Sequence, residues 1–243
     1  MPAVSSAHRA ALDALATDLE RVFGARFVSL VAYPPAGRDD ETHVHSLALV
    51  ETLGFADLHA CLPMVAGWQR RGLAVPLILE DAEFRRTLDV FPLEYGGILA
   101  NHAIVRGRNP FAGVRVDPND VRRACELQAK SHLIHLREGY LETQGEAAAV
   151  ARLIAASAAP FRALLTHIAR LPEASHGSPE NVYEDAAVSE EAERRIGISA
   201  TLVREVFASA TSGQTSIADP TALFSRYLAA AEQVWEYVDA WRA

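Results

Sequence analysis

The segment that most constrains this chain lies between Phe27 and Val50. Two apolar runs, Phe27-Val-Ser-Leu-Val-Ala32 and His45-Ser-Leu-Ala-Leu-Val50, flank a polar turn that holds Pro34, Pro35 and Gly37. Short runs rich in Val and Leu and bounded by Pro and Gly read as strands. The second, extending to Glu51, is apolar on both faces, as a central strand of a covered sheet is. A helix is predicted before them over residues 5–24, with Leu12, Leu15, Leu19 and Val22 on one face, Ser6 as N-cap and Gly24 as the stop. Another is predicted over 55–71, and Pro63 should kink or split it, because proline removes a backbone bond and clashes with the preceding turn. A strand from Val75 to Glu80 then completes a β-α-β unit, followed by a short helix near 81–87.

The pattern changes at Asp117-Pro118, where an aspartate cap precedes proline at the first helical position. From there the chain reads as helical: an apolar stripe of Val121, Cys125, Leu133, Leu136 and Tyr140, helices near 146–157 and 160–171, and short helices capped by Ser189 and Ser199. The last is opened by Asp219-Pro220 and carries Phe224, Tyr227, Val234 and Trp235. Residues 172–185 form the longest loop. The fold class is therefore α+β, with an α/β domain over 1–115 and a helical bundle domain over 116–243.

The layout of residues 27–50 resembles the nucleotidyltransferase fold of the polymerase-beta superfamily, where a strand leads into a Gly-Ser turn and the next strand begins with two metal-binding carboxylates spaced i, i+2. Here Ala32-Tyr33 stands in place of Gly-Ser, and His43 and His45 stand in place of the carboxylates. The segments Arg70 to Glu80, Leu88 to Tyr95 and His102 to Phe111 are similar to those of bacterial members with a helical C-terminal domain, such as the aminoglycoside nucleotidyltransferases. The resemblance implies a nucleotidyltransferase-like mixed sheet followed by a helical bundle, with the acceptor substrate held where the bundle faces the sheet. Its departures fall on the catalytic positions.

Those departures matter electrostatically. Nucleotidyl transfer uses two hard cations about 4 Å apart, held by carboxylate and phosphate oxygens. Neutral imidazoles supply nitrogen and cancel none of that charge. Tyr33-Pro34-Pro35 also replaces a turn whose backbone N–H groups would approach a phosphate. The implied function is a catalytically degenerate protein that binds a small ligand or a partner protein without nucleotidyl transfer. The alternative is an active metal-dependent transferase with a rearranged site built from Asp39, Asp40, His43, His45 and Glu80.

Composition narrows the partners. A formal charge of −8 argues against general nucleic-acid binding. Of 23 basic residues only Lys130 is a lysine, a bias that fits a GC-rich bacterial genome. Cys61 and Cys125 are too few for a disulfide framework or a zinc cluster and read as small buried residues. No apolar run approaches the ~20 residues of a membrane span, and the first residues lack a signal-peptide core, so the expected location is cytoplasmic.

The resemblance implies five residues near a ligand pocket: Tyr33, Glu94, Tyr95, Arg106 and Arg108. The arginines cluster with Arg115 around a Gly-Asn-Pro loop and would grip an anion through their planar forks. The bland alternatives are a packed Tyr95, a Glu94 paired to an arginine and a solvated loop. No cofactor is expected; Mg²⁺ is disfavoured, and Zn²⁺ is the metal that His43 and His45 would suit. His132 and His135, spaced i, i+3, read as hydrogen-bonders. Trp235, Tyr237 and Trp241 either pack on the bundle or form a homodimer face.

Overall fold

The computed structural model describes residues 6–34, 43–169, 171, 184–211 and 217–241. They form an α+β chain that divides into two compact units, Met1–Val116 and Asp117–Ala243.

In the first unit, α1 (Ser6–Phe23) ends in a 3₁₀ turn at Gly24–Arg26 and leads into β1 (Phe27–Tyr33). β2 (His45–Val50), α2 (Phe55–Arg70) and β3 (Leu77–Glu80) follow, then α3 (Asp81–Arg86), α4 (Pro92–Ala100) and β4 (Ala103–Gly107). The strand order is β3-β2-β1-β4. β1 runs antiparallel to β2 and β4, and β2 runs parallel to β3, so the sheet is mixed. Period-two alternation gives it two apolar faces. Leu30, Ala32, Ala48 and Val50 pack with Leu12, Leu15 and Leu19 of α1 and with Cys61 and Trp68 of α2. Val31, Leu47 and Leu49 pack with Phe84 of α3 and with Tyr95 and Ile98 of α4. The central strands are thus apolar on both sides because helices cover both.

Polar clasps tie the first of these layers together. Arg26 holds Asp57 through two bonds, at 2.7 and 2.9 Å, joining the start of β1 to the first turn of α2. The same carboxylate accepts from the Gly54 N–H, and the guanidinium pulls it down to about 2. Trp68 Nε1 donates to Asp18 at 3.0 Å, fixing α2 on α1.

Four expectations for this unit are corrected. Ser6 is already a helical residue of α1 and not a cap outside it. Pro63 lies inside one continuous α2, so it does not split the helix, whose Cys61 and Trp68 on either side are buried against α1 and the sheet. α4 was not foreseen: two glycines weaken its propensity, and burial of Leu93, Tyr95 and Ile98 stabilises it. β4, a fourth strand, was not foreseen either.

The second unit contains α5 (Pro118–Glu142), α6 (Ala147–Ala169), α7 (Asp185–Ile196), α8 (Ala200–Thr211) and α9 (Pro220–Ala240). α5 packs on α6 and α9, and α6 also packs on α8. The two Asp-Pro starts are built as the sequence implies: Asp117 accepts from Asn119 N at 2.8 Å and Asp219 from Ala222 N at 2.9 Å. Asp117→Ala is therefore expected to lower the stability of this unit by about 1 kcal/mol in urea denaturation followed by circular dichroism.

Here too local rules gave way. α6 is one helix across Pro160, not two. Its Phe161, Leu164, Leu165 and Ile168 are buried, and that packing outweighs the lost backbone bond. Ser189 is inside α7, where its hydroxyl donates to Asp185 O; the N-cap position is Glu184. Ser199 does sit at a cap, accepting from Leu202 N at 3.4 Å. α6 is also long and apolar enough, by length and composition, to cross a membrane, which corrects the reading that no run approaches that length. Arg152 and Arg162 interrupt it, and its Val150, Ile154 and Phe161 are buried in the bundle.

Candidate functional site

The positions that would carry metal-binding acids lie where β2 begins. Tyr33, the last residue of β1, is the cross-strand partner of His45. Their rings face each other at 5.9 Å between centroids. Tyr33 packs against the cluster that holds Tyr95 and Phe84, so His45, Leu47 and Leu49 share the α3/α4 face of the sheet. Burial pushes the Tyr33 hydroxyl above its ordinary pKa. Between His43 and His45, Val44 bridges to Leu73 in parallel register, with its N–H donating to Gly72 O at 2.8 Å. By alternation His43 falls on the same side as His45.

Glu80 is elsewhere. It pairs in register with Val50, five residues along the parallel ladder from His45, which is roughly 16 Å at about 3.3 Å per residue. Its carboxylate accepts from Leu53 N at 2.9 Å and precedes the first turn of α3. Glu80 therefore cannot join His43 and His45 around one ion. Asp39, Asp40 and Glu41 lie outside the described residues. Among the described residues, no group of three or more His, Cys, Asp or Glu is placed to hold a metal.

The five candidate ligand residues fall into separate places. Tyr33 and Tyr95 belong to one cluster, where Tyr95 is buried, stacks obliquely on Phe84 at 4.8 Å and bonds Thr87 Oγ1 through its hydroxyl at 3.3 Å. Glu94 is exposed in the first turn of α4, where a negative charge suits the helix dipole. Arg106 pairs in register with Leu30 on β1, about 10 Å along the strand from Tyr33. Its guanidinium reaches to α1, 3.3 Å from Glu20 and 3.9 Å from Asp13. Arg108 lies 3.7 Å from Asp81, which Arg85 also holds at 3.1 Å. Both arginines thus meet carboxylates of the protein itself. Their partners lie far away in sequence, so no local spacing signalled these pairings.

The remaining candidates are structural. Burial pushes the Cys61 thiol up and the Cys125 thiol to about 12, so neither is a ready nucleophile. Lys130 Nζ sits 3.5 Å from the Trp235 ring centroid. His132, on α5, is a buried-side hydrogen-bonder: its Nε2 is 2.8 Å from the Tyr227 hydroxyl, which donates to Ser157 O at 3.3 Å. The ring stacks on Phe161 at 5.4 Å. Desolvation, with the neighbouring His135 as a lesser cause, pushes its pKa down to about 4.

Compared with known proteins, the chain matches no family model and no curated protein significantly.

Proposed function

We propose that this chain is a catalytically degenerate nucleotidyltransferase-fold protein, whose sheet unit binds a small ligand or a partner protein without transferring a nucleotide. The observation that carries this reading is the Tyr33–His45 pair at the start of β2. An imidazole stands where the resemblance would place a metal-binding acid, and the ring packed against it stands where the Gly-Ser turn would be. The desolvation that pushes the Tyr33 phenol upward also raises the cost of holding two cations beside it without anionic ligands. Protonated imidazoles would repel them. The rearranged-site alternative loses Glu80, which lies at the far end of the ladder and is engaged by Leu53 N–H.

The purified protein is expected to release no pyrophosphate from ATP, GTP, CTP or UTP with Mg²⁺, in the presence of aminoglycoside or protein acceptors. Mg²⁺-dependent release that disappears in a His43→Ala, His45→Ala double variant would overturn the reading. A thermal-shift screen of nucleotides and metals identifies the ligand class, and metal analysis of the untagged protein decides whether the imidazole pair holds Zn²⁺.

A further inference from the structure

Along α5, Leu127, Ile134 and Leu141 are 72%, 49% and 77% exposed. They recur every seven residues on a helix whose buried side is formed by Cys125, Ala129, Leu133 and Leu136. A seven-residue repeat drifts about 20° per heptad on a straight helix, and two helices keep such a seam in contact by coiling around each other. We propose that this face of α5 pairs with the same face of a second copy of the chain, the two helices running parallel about a two-fold axis. The inference does not depend on what the sheet unit binds.

Charge selects the second copy as the occupant and sets its direction. At 100° per residue, Arg123, Lys130 and Arg137 fall within about 60° of Ile134 on one side of the seam, and Asp120, Glu138 and Glu142 within about 80° on the other. Glu126, farther round on the basic side, is taken up by Arg122 at 2.7 Å, and Arg123 and Asp120 pair with each other within the chain, so the edges that select a partner are Lys130 and Arg137 against Glu138 and Glu142. A two-fold axis along the helices exchanges the sides, so each basic edge meets the acidic edge of the partner. An axis across the helices preserves the sides and sets like charge on like. Parallel pairing is therefore favoured, and it stacks each seam residue on its own counterpart in an isologous contact. Ala124 and Ser131, small residues beside the seam, allow close approach.

Contacts with α9 hold the basic edge in position: Lys130 lies over Trp235 and Arg137 is 2.5 Å from Glu232. A second exposed apolar face, Phe55, Leu58 and Leu62 on α2, has no such two-sided charge pattern and serves as the control.

Sedimentation equilibrium over a concentration series tests the proposal. The full chain is expected to approach twice its 26.3 kDa mass. Ile134→Glu, which places like charges against each other at the seam, is expected to weaken the dimer by about 100-fold or more, with the helical circular dichroism unchanged. Leu62→Glu should leave the dimer intact. Leu127→Cys alone should oxidise to a covalent dimer, since a parallel pair places that position against itself. A mass of one chain at every concentration, a dimer insensitive to both Ile134→Glu and a Leu127→Gln, Leu141→Gln double variant, or loss of the dimer in Leu62→Glu would overturn the proposal. So would cross-linking of Leu127→Cys only with Leu141→Cys, the signature of an antiparallel pair.

Discussion

Gly107→Ala is expected to destabilise the sheet unit by roughly 2–5 kcal/mol. Gly107 closes β4 at φ +83°, and a Cβ there would lie 2.2 Å from Val28 O and 2.8 Å from Ser29 Cα. The left-handed backbone costs an L-residue about 1–2 kcal/mol. The overlap adds at least the roughly 1–3 kcal/mol of an overpacked core, because its partners are backbone atoms that no rotamer can move aside. Relief requires β1 and β4 to part, which sacrifices the Ser29–Gly107 register and the bond from buried Ser29 Oγ to Arg106 O. Gly113→Ala separates the two causes: φ is +75° there, but nothing lies within 4 Å of the new Cβ. That variant should lose only about 1 kcal/mol. Urea denaturation of both variants and the wild type makes the comparison, and equal losses would show that the close approach to Val28 costs nothing.

The second large effect is a pH dependence of the helical unit. An unfolded histidine titrates near 6.5, whereas folded His132 stays neutral down to about 4. Between these values the unfolded chain binds a proton that the folded chain does not. Stability is thus fully present above pH 6.5 and falls as the pH drops towards 4, by an amount on the order of 3 kcal/mol. His132→Phe keeps a ring against Phe161 and removes the titrating nitrogen. In denaturant titrations followed at helical wavelengths, it should flatten the profile across that window. A wild-type profile equally flat would show that the imidazole accepts its proton in place.

What the sequence revealed and what it hid follow from how local each cause is. The first three strands were legible because Val- and Leu-rich runs between breakers have few other uses, and the β2-α2-β3 crossover has the length a parallel connection needs. The Asp117-Pro118 and Asp219-Pro220 starts were legible because cap and proline act within one turn. Pro63 and Pro160 misled for the converse reason: the local cost is real, but the compensation comes from burial on residues far along the chain. β4 was hidden because Ala103 to Gly107 includes an exposed Ile104 and an arginine, which break the apolar run of a strand. At the candidate site, the spacing of His43 and His45 was readable, while the pairing of Arg106 with Glu20 and of Glu80 with Leu53 N–H depends on tertiary placement.

The pairing of α5 with α9 sets an order for biosynthesis. Every described strand of the sheet lies at or before residue 107, so once that stretch has cleared the ribosomal exit tunnel the first unit can complete its hydrogen-bonded ladder while the second is still being translated. The bundle has no such freedom. Its first helix is sealed by its last, through the His132–Tyr227 bond and the stacking of Tyr140 on Phe224 at 4.7 Å. Until that helix emerges, the nascent chain must display the side of α5 that α9 later covers, and chains stalled or cut before Pro220 are the forms on which chaperones and proteases would act.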